Sequence, residues 1–136
     1  MSKLLLALSL TACATTADPA PTARTDDAKT TCVEVMTRNR TCTDDFIPAL
    51  VDARARADKP AGIREAVAAD RAAVIAEAKQ EWANDSKDEA IAPHCEAMAA
   101  HIETPDFEAA EACLAKDACG EYVACVTPIF EKHLNK

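Results

Sequence analysis

Apolar side chains recur at helical spacing along most of this chain. Cys32, Val33, Val35 and Met36 give a first apolar stripe over about 28–40, with Asp26 or Asp27 placed to cap it. A second helix follows Thr43 over about 44–58, where Phe46, Ile47, Leu50, Val51 and Arg54 recur on one side and Pro48 sits in the first turns. The third and longest starts near Pro60 and runs to about Asn84, burying one face through Ile63, Val67, Val74, Ile75, Ala78 and Trp82.

Beyond it, Ser86-Lys87-Asp88-Glu89 has the S-x-x-E form of a capping box. Pro93 falls one turn inside, which predicts a short turn and then a helix over about 92–102 with Cys95, Met98 and Ile102 facing inward. Thr104-Pro105 opens a fifth helix to about Lys116. Asp117 begins a sixth to about Leu134, with Cys119, Tyr122, Val123, Val126, Ile129 and Phe130 apolar and a kink expected at Pro128. The expected fold is an all-α bundle of five or six short helices.

Composition sharpens this picture. Gly62 and Gly120 are the only glycines, which argues against Gly-rich phosphate loops and tight two-residue hairpins. Aromatic residues make up 4% of the chain, so the core is built mainly from Ala, Val, Ile, Leu and Cys. Such side chains each bury little apolar area, at about 25 cal/mol per Å², and disulfides worth about 2–4 kcal/mol apiece would offset that.

The N-terminus carries an address. Lys3 precedes an apolar run, Leu4 to Leu10, which has the layout of a secretory signal and is too short to span a bilayer. The run closes on Leu10-Thr11-Ala12-Cys13, which resembles the lipobox of bacterial lipoprotein precursors. The resemblance implies cleavage before Cys13, residues 1–12 as a signal peptide, and a diacylglycerol thioether with an N-acyl chain such as palmitate on Cys13. Two or more chains anchor a protein stably in a membrane. Competing readings are an ordinary signal cleaved after Ala14 or Ala17, or a folded N-terminal helix with an incidental Cys. Ala14 in place of Asp after the Cys would, under enterobacterial-type sorting, direct the chain to the outer membrane facing the periplasm. Residues 13–29 then read as the lipidated Cys and a flexible tether, with Pro19 and Pro21 and no apolar period, and 30–136 as the folded domain.

Cysteine arithmetic agrees with an exported chain. Seven cysteines are an odd number, and setting Cys13 aside leaves six that can form three disulfides in an oxidising compartment. Helix positions suggest Cys32 with Cys42, Cys113 with Cys119, and Cys95 with Cys125. This is one of about fifteen connectivities, and Cys95 with Cys113 or Cys119 is the rival. No Cys-x-x-Cys occurs, which argues against common zinc, cluster and haem frameworks.

The formal net charge is −8, so a nucleic-acid partner is not expected. The charge is also uneven: residues 29–64 carry seven cations and five anions, and 65–136 six cations and fifteen anions. Arg38, Arg40, Arg54, Arg56, Lys59 and Arg64 form a candidate basic surface for headgroups or an acidic protein. His94, Met98 and His101, at i, i+4 and i+7, form a candidate copper site of imidazole and thioether. Glu77 with Glu81, and Glu108 with Glu111, read as solvated helix faces. Ser86 is the only serine outside the leader and no strand-turn-helix elbow accompanies it, so a hydrolase is not expected.

These readings converge on a non-enzymatic binding or assembly module, lipid-anchored in the bacterial envelope, with no cofactor and with an envelope protein as partner. Periplasmic copper handling and an inhibitor or immunity-type lipoprotein against a basic enzyme are the alternatives. The regularly spaced cysteines after Glu111 resemble the small Cys-containing helical lipoproteins of predatory and soil deltaproteobacteria. That resemblance implies no activity and no site residue.

Overall fold

α1 (Pro21–Thr41), α2 (Thr43–Ala57), α3 (Ile63–Asp85), α4 (Asp88–Ala99), α5 (Thr104–Leu114) and α6 (Cys119–Leu134) follow one another without a strand among the described residues. The computed structural model describes residues 21–101 and 104–135. The signal segment, Cys13, the first part of the tether and Ile102 lie outside the described residues. The all-α expectation holds, with six helices, and no described helix is long and apolar enough to cross a membrane.

The N-terminal boundary requires correction. α1 begins at Pro21, so residues 21–29, expected as tether, are helical. Proline is favoured at a first helical position because its missing N–H would have had no partner there anyway. Asp26 and Asp27 are exposed residues within α1 and not its caps.

α2 and α6 supply most of the core. Phe46, Ile47 and Val51 from α2 meet Tyr122, Val123 and Val126 from α6, joined by Val35 of α1 and by Ala110 and Cys113 of α5. Full burial of each larger side chain contributes roughly 1.5–3 kcal/mol. α2 packs between α3 and α6, while α1 packs on α4 and α5. Tyr122 is wholly buried, its hydroxyl 2.9 Å from Asn39 Oδ1 and 3.2 Å from the Val35 carbonyl. Burial pushes its phenol up to about 12, against the opposing pull of nearby Arg38.

α3 is built differently. None of its residues is buried, and Val67, Val74, Ile75, Ala78 and Trp82 are only partly covered as they pack against the core. It is also two segments rather than the single helix expected, because Asp70 leaves helical geometry at φ −154° and ψ 85°. Its Oδ1 accepts from the Ala73 N–H at 3.0 Å, which makes Asp70 the N-cap of the second segment. A short carboxylate that competes for backbone N–H groups thus restarts a helix that the apolar stripe alone would have continued.

The expected capping box does not form. Ser86 is buried at the C-cap of α3, and Lys87 precedes α4 with no side-chain cap. α4 runs through Pro93 from Asp88 instead of starting near 92; Pro93 is exposed, where water can take the carbonyl that proline releases. α6 likewise continues as one helix through Pro128.

All six cysteines of the domain are paired, but with other partners than expected. The bonds are Cys32–Cys95, Cys42–Cys119 and Cys113–Cys125, with Cα separations of 5.5, 5.3 and 5.6 Å. Cys32 and Cys42 cannot meet because α1 runs unbroken between them, and ten residues of helix span about 15 Å. A disulfide needs a Cα separation below about 7 Å. Cys95 instead faces α1, where α4 packs. Cys119, the first residue of α6, abuts Cys42 at the α1–α2 junction, which leaves Cys113 for Cys125 across the α5–α6 hairpin.

Candidate functional site

A chain with two glycines has few ways to close helix C-termini, since the usual left-handed cap favours glycine. Asp58, at φ 51°, ends α2 in that conformation, and its Oδ1 accepts from Gly62 N–H at 3.1 Å and Arg64 N–H at 3.2 Å. There and at other helix ends, arginines supply the missing donors. Arg64 donates to the Ala55 carbonyl at 3.2 Å and the Arg56 carbonyl at 3.1 Å, at the end of α2. Arg40 donates to the Ser86 carbonyl at 2.7 Å and to Asp88 at 2.8 Å, closing the α3–α4 turn. Arg38 donates to the Lys116 carbonyl at 3.0 Å and to that of Asp117, beyond α5, with its guanidinium 5.6 Å from the Tyr122 ring centroid.

The candidate basic surface is thereby largely committed to internal contacts. Arg56 pairs with Glu131 of α6. Of the six residues, the side chains of Arg54 and Lys59 alone make no hydrogen bond or ion pair among the described residues. Lys59 sits in the α2–α3 turn, whereas Arg54 stands over a cleft.

That cleft, about 470 Å³, opens where five helices converge. Met36 and Asn39 of α1, Phe46 and Leu50 of α2, Trp82 of α3 and Phe130 of α6 line it, with Arg54, Asp85 and His94 also contributing. The aromatic wall is held in place: Phe46 lies 5.4 Å from Trp82 and 5.7 Å from Phe130, centroid to centroid, and the Trp82 indole N–H donates to Thr43 Oγ1 at 3.2 Å. A second cleft of about 400 Å³ between α2 and α3 shares Leu50, Arg54, Trp82 and Asp85 with the first. Apolar walls with a few placed polar groups are what small-molecule sites are made of.

Asn39 is the unusual member. It is fully buried, its Oδ1 is engaged with Tyr122, and its Nδ2 has no hydrogen-bond partner. A buried polar atom left unpaired costs about 1–3 kcal/mol, so its retention in a cleft wall calls for a reason.

The candidate copper residues lie on α4 and in the turn after it. His94 lines the cleft and is exposed, Met98 is 43% exposed, and α4 ends at Ala99, so His101 falls in a turn whose N–H bonds to the Met98 carbonyl. Among the described residues no three His, Cys, Asp or Glu side chains gather to hold a metal. His133 lies 2.9 Å from Asp106, whose carboxylate also takes Lys132 Nζ at 2.8 and 3.0 Å, and this cluster latches the last turn of α6 to the start of α5. Glu77 and Glu81 line the second cleft, and Glu108 and Glu111 are exposed.

Sequence reasoning missed Asn39 and the convergence of Phe46, Trp82 and Phe130. A signal for Asn39 was present: Cys32, Val35 and Asn39 of α1 and Cys42 just beyond it step by three, four and three, which puts an amide in an apolar stripe. Nothing local signals the aromatic wall, because its members come from three helices. No protein-family model matches the chain, and neither a curated protein nor a solved structure does.

Proposed function

We propose that the chain is an exported, lipid-anchored binding module of the bacterial cell envelope that performs no catalysis. The observation that supports this best is the pairing of all six domain cysteines, which leaves Cys13 as the odd thiol at the end of a signal-like segment. Three structural disulfides suit an oxidising compartment outside the cytoplasm, and an unpaired Cys at a lipobox-like position suits acylation. The rest of the molecule is a cross-linked scaffold around an open, partly apolar cleft, which suits holding a ligand or partner.

The test is fractionation of cells that make the chain with and without Cys13→Ser, grown with labelled palmitate. The unaltered chain is expected in membranes, released by detergent and not by salt, and labelled; the variant is expected unlabelled and soluble. Equal labelling or equal membrane retention of the two would remove the anchor from the account.

A further inference from the structure

The cleft itself carries a ligand assignment. Phe46, Leu50 and Arg54 stand at i, i+4 and i+8 on α2, so they mark a line of about 12 Å along the helix. Near the start of that line, Asn39 comes one turn before α1 gives way to α2. At its far end is Arg54, a guanidinium with no partner among the described residues. Between them the walls are apolar and aromatic.

We infer that this cleft binds an elongated monocarboxylate, its acid group on Arg54 and its apolar body along Phe46, Leu50 and Trp82. Guanidinium and carboxylate match in charge and planar geometry, and Arg54 has no competing internal acid bonded to it. Asp85 shares the lining with Arg54, so the local charge balance favours one anionic group over two and disfavours a phosphate dianion. Filling the cleft would cover the half-buried Leu50, Trp82 and Phe130.

This assignment rests on the reading of the chain as a binding module, and its test is independent of the membrane anchor. Trp82 is the only tryptophan and lines the cleft, so its emission reports occupancy directly. The purified full chain is titrated with decanoate, 10-hydroxydecanoate, decan-1-ol and decylamine. Both acids are expected to shift Trp82 emission saturably, and the alcohol and amine to bind at least about tenfold more weakly. Arg54→Gln, at an exposed position, is expected to weaken both acids about tenfold while leaving the thermal unfolding midpoint in place. Failure of both acids to saturate, equal binding of acid, alcohol and amine, or unchanged affinity in Arg54→Gln would each overturn the assignment. None of these failures alters where Cys13→Ser places the chain, so the ligand and the anchor are judged separately.

Discussion

Arg38 reaches from α1 to the carbonyl of Lys116, 78 residues away, at 3.0 Å, and so closes a helix to which it does not belong. Its guanidinium also lies against the Tyr122 ring, and the side chain is half-buried, with Nε buried and without a hydrogen-bond partner among the described residues. Hydrogen bonds from charged groups contribute about 1.5–3 kcal/mol. Arg38→Met is therefore expected to lower stability by about that amount in urea unfolding, while Arg54→Met, at a side chain with no internal bond, stays within about 0.5 kcal/mol. Equal effects at the two positions would contradict the division between capping and uncommitted arginines.

The disulfides bind distant parts of the chain. Cys32–Cys95 spans 63 residues and Cys42–Cys119 spans 77, so each restrains a long loop of the unfolded chain. Removing Cys32–Cys95 by a double Ala substitution is expected to cost about 2–4 kcal/mol. Peptide mapping without reduction should recover Cys32 joined to Cys95. Recovery of Cys32 joined to Cys42 would contradict the continuous α1.

Tyr122, the only tyrosine, gives a pH signature. Its phenol is raised to about 12 by burial, whereas in the unfolded chain it ionises near 10. Between these values the folded state holds a proton that the unfolded state has lost, so stability falls as pH rises from 10 toward 12, by up to about 1.4 kcal/mol per unit. Ultraviolet titration should show ionisation well above 10, coincident with unfolding or following it. A midpoint near 10 in the folded protein would contradict the burial of this hydroxyl.

Much of this architecture was legible in local sequence. Apolar spacing gave the helical class and most boundaries, because each stripe records one buried face. Three features escaped for a common reason: they depend on groups far apart in sequence. The cysteine partners followed from the unbroken path of α1 and not from neighbouring helix ends. The arginines read as a basic surface because their acceptors, carbonyls up to 79 residues away, carry no sequence signal. The cleft was visible only through Asn39, an amide at an apolar position. The restart of α3 at Asp70 is the exception, a local capping preference that prevails over the apolar period.

Acid sensitivity is expected to concentrate at pairs between helices. The hydrogen bond from Lys132 holds the Asp106 carboxyl below its ordinary value of 3.8, with His133 acting in the same direction and burial opposing. Hydrogen bonding to Arg71 does the same for Asp52, through two contacts of 2.8 Å that tie α3 to α2. Such groups stabilise the fold above the ordinary carboxylate value and lose that contribution as pH falls through their lowered one. Asp106→Asn should therefore flatten the decline of the unfolding midpoint as pH falls below the ordinary carboxylate value of about 4. Parallel curves for variant and parent would remove Asp106 from this role.

The central claim, an oxidised domain hung from a membrane by lipid on Cys13, meets its most direct test in intact mass spectrometry of the protein from its native membrane, with and without reduction. The account predicts the mass of residues 13–136 plus acyl chains, rising on reduction by about six mass units, two for each of the three disulfides. A mass that retains Met1 without acyl chains, or one that does not change on reduction, would contradict it.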